Sequence, residues 1–233
     1  MTGTLFGIGV GPGDRDLITL KAARLIAVCP VVAYPALAGI PSFARAIAAD
    51  LIEPGCDEIV FEIPMTVARG PAQAAYDAAA ARIARVLDSG RDVACLCEGD
   101  PFFYGSFMYL HARLAPRFTV EIVPGVSSVS ACAAAAARPL AARNEAVTVL
   151  PGPLGDEVLT RRIRAADSVA IMKVGRHLPR IRRVIEGLGL TDRAIFVARA
   201  TLPDQMVCPL ADAPEPAPYF SMILLTKGAD PWL

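Results

Sequence analysis

A glycine-rich turn follows the first apolar segment of the chain, in the sequence GIGVGPGDRD at residues 7–16. Its spacing is similar to that of a dinucleotide-binding turn, in which backbone N–H groups point at a pyrophosphate. Here Pro12 has no N–H to offer, and Asp14 stands in place of the last glycine. Asp14 and Asp16 add negative charge where a phosphate needs positive potential. The turn therefore predicts a ligand that is uncharged or cationic at this point.

A second segment whose residues could bind a ligand or take part in a reaction reads CLCEGDPFFYG, at residues 95–105. Glu98, Gly99 and Asp100 directly follow an apolar run that predicts a buried strand. Ligands of open α/β sheets bind beyond the carboxyl ends of the strands, and a glycine there lets a ligand approach the backbone closely. The segment indicates a binding loop, and an ordinary Gly-Asp-Pro turn that closes a strand is the alternative.

Two further turns come after apolar runs in the second half of the chain. VPGVSS at residues 123–128 puts Ser127 and Ser128 at the start of an alanine-rich helix, where serine also serves as an ordinary N-cap. AIMKVG at residues 170–175 ends a predicted strand in Lys173, which could equally be a surface lysine. Together these turns indicate a small-molecule site between two domains.

The elements that must position these turns alternate along the first half of the chain. The runs TLFGIGV, PVVAYP, EIVFEIP, DVACLC and FTVEIV predict strands separated by helices, which is typical of a mostly parallel sheet. Residues 17–28 predict the first helix, with Asp16 as its N-cap. A long helix is expected from Pro71, with Gly90 just past its end.

The second half changes character, because it ends in consecutive strands. AIFVARA, QMVCPL and YFSMILLTK have no predicted helix between them, so antiparallel pairing is expected there. The proline-rich segment 211–220 predicts a surface loop. We therefore predict two α/β domains, residues 1–124 with the GPGD turn and the EGDP loop and residues 125–233, with a cofactor cleft between them.

Composition excludes several classes of protein. The 233 residues are 54% hydrophobic and 20% charged, enough to build sizeable cores, and a formal net charge of zero gives no support to a nucleic-acid partner. No window has the length of apolar sequence that a transmembrane helix needs, and the N-terminus lacks a basic leader. The six cysteines lack metal-ligand spacing. We expect a cytoplasmic protein with reduced thiols, no metal site and no membrane segment.

Five segments occur in the order and spacing seen in the tetrapyrrole (corrin/porphyrin) methylases. They are GVGPGDRDLITLKAARLI, EGDPFFYGSFMYL, PGVSSVSACAAAAARPLA, IMKVGRHL and ARATLPDQ, which together span nearly the whole chain. The chain thus resembles this family, and in EGDPFFYGSFMYL and MKVGRH it most resembles the members that methylate carbon 20 of precorrin-2 to give precorrin-3A in cobalamin synthesis. The resemblance implies a two-domain methyltransferase that works as a homodimer.

The resemblance also implies S-adenosylmethionine as the methyl donor, bound in the cleft between the domains. This donor has no phosphate and carries a sulfonium cation, in agreement with the GPGD turn. Matched position by position, the residues implied to contact the cofactor are Pro12, Glu98, Gly99, Asp100, Phe103, Ser127, Ser128, Lys173, Val174 and Ala200.

The implied substrate is a reduced tetrapyrrole with several carboxylates, which basic side chains would complement. Candidates in predicted loops or at element ends are Arg15, Arg69, Arg143, Arg176 and His177. The methylated carbon must later lose a proton. Possible acceptors, among which the sequence does not choose, are Glu98, Tyr104, His177 and His111, the last of which lies within a predicted helix.

Other functions stay open at this point. The ring could carry cobalt, as in cobalt-factor II, or be methylated at another position. A methyltransferase of the same fold could act on ribosomal RNA or on a protein, although the zero net charge weighs against RNA. A ligand carrier without catalytic activity is a third possibility.

Overall fold

The computed structural model describes residues 1–64 and 69–228. The chain divides into two compact units, Met1–Ser127 and Ser128–Leu233. This division falls three residues after the boundary expected from the sequence. The first unit holds the GPGD turn and the EGDP loop.

Within the described part of the first unit, five strands form one parallel sheet. Its order is β3-β2-β4-β1-β5, and every neighbouring pair is parallel. The strands are β1 (Leu5–Gly9), β2 (Val31–Ala36), β3 (Asp57–Glu62), β4 (Val93–Cys97) and β5 (Val120–Val123). The parallel sheet confirms the prediction from alternating strands and helices.

Helices cover both faces of this sheet. They are α1 (Leu20–Val28), α2 (Phe43–Ile47), α3 (Arg69–Asp88) and α4 (Phe107–Leu114). Ile83 and Leu110, from α3 and α4, are fully buried in one core, and Ile26 and Ala44, from α1 and α2, lie in the other. Every residue of β4 is buried, which is why its sequence is continuously apolar rather than alternating.

The first helix begins later than predicted, and Asp16 is not its N-cap. Ile18 has extended backbone, so the chain makes a short 3-10 turn at Arg15–Leu17 before α1 starts. The side chain of Asp14 caps that turn by accepting a hydrogen bond from the Asp16 N–H at 2.9 Å. Thr19 caps α1, because its Oγ1 accepts from the Ala22 N–H at 3.2 Å.

The second unit, described to residue 228, contains a mixed sheet of order β6-β7-β10-β8-β9. Only the β6–β7 pair is parallel, and the other three pairs are antiparallel, which confirms the expectation for the last strands. Its strands are β6 (Val147–Pro151), β7 (Ser168–Met172), β8 (Ala194–Ala198), β9 (Met206–Pro209) and β10 (Ser221–Thr226). The central strand β10 is buried along its whole length.

Three helices in the described part of this unit pack on that sheet. They are α5 (Ser128–Ala135), α6 (Asp156–Ala165) and α7 (Leu178–Gly187). The segment 211–220 joins β9 to β10, as predicted, and Arg182 of α7 fastens it to the unit. Arg182 of α7 donates hydrogen bonds to Glu215 Oε1 at 2.8 Å and to the Ala213 carbonyl at 2.7 Å.

Candidate functional site

Four glycines of the first unit bring three turns into direct backbone contact. These residues, Gly9, Gly11, Gly99 and Gly125, are called the glycine junction below. The Gly11 N–H donates to the Gly99 carbonyl at 3.2 Å, and the Gly99 N–H donates to the Gly11 carbonyl at 2.7 Å. The GPGD turn and the EGDP loop are therefore joined at the carboxyl ends of β1 and β4.

The junction leaves no room for a side chain on its inner glycines. A Cβ on Gly125 would lie 2.1 Å from the Gly99 carbonyl oxygen and 2.9 Å from the backbone of Gly9. A Cβ on Gly9 would lie 2.6 Å from both the Gly99 carbonyl oxygen and the Gly125 nitrogen. Close packing of three backbones explains why each turn carries glycine here.

Asp100 braces this junction through both oxygens of its carboxylate. Oδ1 accepts hydrogen bonds from the N–H groups of Phe102 at 2.9 Å and Phe103 at 3.0 Å. Oδ2 accepts from the Gly125 N–H at 3.1 Å. The resemblance to the methylases implies contact between Asp100 and the cofactor, but the carboxylate itself is committed to holding two loops together.

Glu98 stands immediately before this brace, at the end of β4. Its side chain is exposed, and the N–H of Ala44 in α2 donates to the carboxylate. Desolvation by the surrounding protein raises the pKa of the Glu98 carboxyl, while the hydrogen bond from Ala44 acts in the opposite direction. Glu98 is therefore an accessible carboxylate with a raised pKa.

The helix that contacts Glu98 is held in place by polar contacts to β2 and β3. Ser42 Oγ accepts from the Arg45 N–H at 3.3 Å and donates to the Pro35 carbonyl at 2.6 Å. Arg45 donates to both carboxylate oxygens of Glu58 at 3.0 Å. The Tyr34 hydroxyl donates to Glu58 Oε2 at 2.5 Å. This network fixes the height of α2 over the sheet.

Replacing Glu58 with Gln is expected to lower the free energy of unfolding by about 1 kcal/mol at pH 7. The hydrogen bonds from Arg45, and then from Tyr34, lower the pKa of the Glu58 carboxyl below its ordinary value of 4.5. A charge-assisted bond contributes about 1.5–3 kcal/mol, discounted here because Arg45 is 41% exposed. A lowered pKa means that this stability is complete above pH 4.5 and disappears as the pH falls through the lower folded value.

Urea denaturation of the parent and of Glu58→Gln at pH 7, and at pH values below 4.5, checks this expectation. Glu53→Gln is the matched control, because Glu53 is exposed in the segment that precedes β3. A difference between parent and Glu58→Gln that stays constant across this range would contradict the ionic role of Glu58.

Three consecutive aromatic side chains follow the EGDP turn and face solvent. Phe102, Phe103 and Tyr104 are 48%, 38% and 44% exposed. The loop that presents them is closely packed, since a Cβ on Gly105 would lie 2.5 Å from the carbonyl oxygens of Asp100 and Pro101. Exposed aromatic rings on a packed loop offer an apolar surface to a ligand.

His111, one of the possible proton acceptors, has a structural environment. Its ring meets that of Phe102 edge-on with a centroid distance of 5.0 Å, and it lies 6.4 Å from the ring of Phe107. It belongs to α4 and buttresses the base of the aromatic loop. This arrangement favours the other three candidates as acceptors.

In the second unit, the ends of β7 and β8 carry strained backbone. Lys173, Arg199 and Thr201 have φ values of 57°, 50° and 71°, in the left-handed region that side-chain-bearing residues seldom adopt. The Arg199 N–H donates to the Phe220 carbonyl at 2.8 Å, which ties the turn after β8 to the start of β10. Such conformations cost energy and cluster at functional sites.

Two of the implied cofactor contacts in this unit offer mainly backbone. The side chain of Val174 is fully buried in the core, and Ala200 is only 9% exposed. Lys173 is exposed beside them. Ser128 begins α5, and it and the preceding Ser127 are half-buried.

The sequence did not single out Arg180, although it shapes the turn of Lys173. Arg180 donates to the carbonyl of Leu154 at 2.9 Å and also contacts the Gly152 carbonyl and the Asp156 carboxylate. Gly152 packs so closely on Lys173 that a Cβ there would lie 2.8 Å from the Lys173 carbonyl oxygen. The positively charged side chain thus holds two turns at one edge of the sheet.

The basic substrate candidates fall in different settings. Arg15 forms an ion pair with Asp50, and Arg143 is exposed. Arg176 and His177 share the short turn Gly175–His177. Burial, and then the charges of Arg176 and Arg180, lower the pKa of His177. Arg69 begins α3, but its side chain lies outside the described residues.

The described residues contain no helix long and apolar enough to cross a membrane, and no group of three or more His, Cys, Asp and Glu side chains placed to hold a metal ion. The six cysteines, all within the described residues, are free thiols. Burial raises the pKa of Cys132 to about 12, so this thiol is protonated and unreactive at neutral pH.

The chain belongs to the family of tetrapyrrole (corrin/porphyrin) methylases, whose model matches residues 4–214. The chain is 45% identical to the cobalamin biosynthesis protein CobIJ of Mycobacterium tuberculosis over 235 residues, which cover 97% of this chain. The chain spans 46% of the length of that relative.

Two relatives are similar to the chain over nearly their whole length. The precorrin-2 C(20)-methyltransferase of a Sinorhizobium species is 40% identical over 98% of this chain and 97% of the relative. The cobalt-precorrin-2 C(20)-methyltransferase of Salmonella typhimurium is 29% identical over 97% of this chain and 98% of the relative. Both relatives are named for carbon 20, the position methylated by the family members that the sequence motifs resemble.

Solved structures of the family share the fold. The uroporphyrin-III C-methyltransferase of Thermus thermophilus, solved with S-adenosylhomocysteine, superposes with a TM-score of 0.71 at 25% identity and covers 95% of this chain and 97% of that structure. Cobalt precorrin-4 methyltransferase CbiF gives a TM-score of 0.70 at 25% identity, covering 96% and 94%. These comparisons confirm the family and the α/β fold expected from the sequence.

Proposed function

We propose that the chain transfers a methyl group from S-adenosylmethionine to carbon 20 of precorrin-2, giving precorrin-3A in cobalamin synthesis. The observation that carries the proposal is the glycine junction, a strand-end site bordered by carboxylates and without the features of a phosphate cradle. The relative named for this reaction, 40% identical along nearly its full length, supports the choice of substrate and position.

The residues at the junction fit such a donor. The N–H groups of Gly11 and Gly99 each donate to the carbonyl of the other residue, and Pro12 has no N–H, so these residues have no amide left for a pyrophosphate. Glu98 supplies negative charge, which suits a sulfonium, and the exposed ring of Phe103 offers an apolar surface. When bound, S-adenosylmethionine supplies an electrophilic methyl group on a positively charged sulfur.

Other residues would hold the rest of the cofactor. We infer that Pro12, Gly99 and the backbone that Asp100 braces contact its amino-acid and ribose part, together with Ser127 and Ser128. The exposed Lys173, the backbone of Val174 and Ala200 would contact the adenine. These assignments rest on the resemblance, and a cleft between the two domains stays a prediction with them.

The reaction asks mainly for positioning. Positive charge is consumed as the methyl group moves, so orientation of the ring carbon and exclusion of water supply most of the acceleration. The aromatic loop of Phe102, Phe103 and Tyr104 is suited to pack against a ring face. Arg143, Arg176 and His177 are our candidates for the substrate carboxylates in the second unit.

A proton must leave the methylated carbon, and His177 is our first candidate for its acceptor. The lowered pKa of His177 keeps its imidazole neutral at pH 7, the form that can accept a proton. Glu98 and Tyr104 remain alternatives.

We also propose that the protein forms a homodimer. Its proposed location is the cytoplasm.

A second candidate is the same methylation on a cobalt-loaded ring. The Salmonella typhimurium relative named for cobalt-precorrin-2 motivates it. The motifs shared with both relatives do not distinguish the metal-free ring from the loaded one, because the metal would belong to the substrate. Separate incubations with the two rings would show which one gains the methyl group.

Mass spectrometry of the product from precorrin-2 and S-adenosylmethionine tests the proposal. One added methyl group at carbon 20, located by fragmentation or NMR, is the expected result. Titration calorimetry should show binding of S-adenosylmethionine and no measurable binding of NAD, because the turn lacks a phosphate cradle. An unchanged tetrapyrrole in both incubations, or NAD affinity comparable to that of the methyl donor, would contradict it.

A further inference from the structure

Two adjacent aromatic residues, Tyr219 and Phe220, lie directly before β10 and are exposed to solvent. They are 69% and 40% exposed, and Tyr219 is the most exposed aromatic residue in the part of the chain that the structure describes. The two rings meet edge-on, with a centroid distance of 5.0 Å. Single exposed apolar side chains are common, but contiguous ones mark a surface that contacts a ligand or a partner.

The backbone that carries this aromatic pair is held by three hydrogen bonds. The Arg199 N–H donates to the Phe220 carbonyl at 2.8 Å, and the Ser221 N–H donates to the Tyr219 carbonyl at 3.1 Å. Ser221 Oγ donates to the Pro218 carbonyl at 2.8 Å. Rings on a fixed backbone lose little conformational freedom when they bind, so this pair suits a binding surface.

A basic turn lies beside the aromatic pair at the same edge of the sheet. The Gly175 N–H donates to Ser221 Oγ at 3.4 Å, which joins the turn Gly175–His177 to the start of β10. Arg176 is exposed in this turn. Aromatic rings next to a guanidinium are complementary to a conjugated ring that carries carboxylates.

We propose that Tyr219 and Phe220 form a contact surface for the macrocycle of the substrate, and that Arg176 beside them binds one of its carboxylates. The inference rests on the proposed function, because it takes a tetrapyrrole with several carboxylates as the substrate. The adenine of the methyl donor is also an aromatic ring, but it has no negative charge for Arg176 to attract. The aromatic pair contributes binding and orientation of the macrocycle and takes no part in bond making.

Steady-state kinetics of Tyr219→Ser with precorrin-2 and S-adenosylmethionine test this role. The KM for precorrin-2 should rise about tenfold, the size of one lost aromatic contact, while kcat changes less than about threefold. Tyr219→Phe keeps the ring and should have the KM of the parent. Titration calorimetry should give both variants an affinity for S-adenosylmethionine within about threefold of the parent value.

Two further variants complete the experiment. Arg176→Gln should raise the KM for precorrin-2 as well, and it tests the same surface if Tyr219→Ser lowers the temperature of thermal unfolding. Val207→Ala is the matched control, because Val207 is 40% exposed, like Phe220, but lies in β9. This control should leave the KM for precorrin-2 and the affinity for S-adenosylmethionine unchanged.

Three outcomes would overturn the inference. One is a parent-like KM for precorrin-2 in Tyr219→Ser. Another is an equal loss of affinity for S-adenosylmethionine, because the pair would then contact the methyl donor. The third is a lower particle mass of Tyr219→Ser in light scattering, because the pair would then contact a second copy of the chain. If the parent protein does not methylate precorrin-2, the proposed function itself fails.

Discussion

Replacing Gly125 with Ala is expected to lower the free energy of unfolding of the first unit by about 3 kcal/mol and to abolish measurable binding of S-adenosylmethionine. The new methyl group would lie 2.1 Å from the Gly99 carbonyl oxygen and 2.9 Å from the backbone of Gly9. Neither neighbour can rotate away, since both atoms belong to the backbone. The turns would have to separate, at the cost of overpacking and of the hydrogen bond to Asp100.

Urea denaturation and titration calorimetry measure the two effects of Gly125→Ala. Gly187→Ala is the matched control, because no atom beyond its neighbours in the chain and the backbone of α7 lies within 4 Å of the position that its Cβ would take. That variant should bind the cofactor like the parent and have equal or slightly greater stability. Parent-like stability and affinity in Gly125→Ala would show that the junction tolerates separation.

Replacing Asp100 with Ala should cost about 2 kcal/mol of stability and weaken cofactor binding at least about tenfold. Three backbone N–H groups lose their acceptor, and the two loops that meet at Gly125 lose their brace. Asp100→Asn should have a smaller effect of the same kind, about 1 kcal/mol. Its amide oxygen can still accept from Phe102 and Phe103, but an NH₂ group then faces the Gly125 N–H.

Comparing the stability and the cofactor affinity of the two Asp100 variants distinguishes two roles for this side chain. A brace predicts that stability and cofactor affinity fall together, and further in Asp100→Ala than in Asp100→Asn. A direct ligand of the cofactor predicts reduced affinity with parent-like stability in Asp100→Asn. Asp192→Asn, an exposed aspartate of the second unit, is the control for the substitution itself. Parent-like binding in Asp100→Ala would reduce the EGDP loop to a turn that ends a strand.

The sequence alone determined the types of element and their grouping. Apolar runs such as DVACLC, separated by helical patterns, predicted the parallel sheet, and the consecutive strands after residue 194 predicted antiparallel pairing. These features follow from the local periodicity of apolar residues, which can be read directly along the sequence. The chemistry of the GPGD turn was also readable, because Pro12 and Asp14 lie within a few residues of each other. The family followed from five motifs in register.

The start of α1 is a feature that local sequence patterns did not predict correctly. Asp14, Asp16 and Thr19 are all acceptable N-caps by residue type, and the choice depended on the extended backbone of Ile18. A 3-10 turn therefore lies where the periodicity continued the helix. Such boundaries are decided by the path that the chain takes across the sheet edge, and composition does not encode that path.

Only the tertiary structure decided what the site residues contact. Asp100 reaches Gly125 across 25 positions, and Glu98 meets the amide of Ala44, which precedes it on another element. Both contacts exist because the order β3-β2-β4-β1-β5 places β4 between β2 and β1, and so brings distant strand ends together. The sequence could name Glu98 and Asp100 as residues of one loop. The fold gave Asp100 three backbone donors and gave Glu98 the amide of Ala44, because hydrogen bonds depend on neighbours in space.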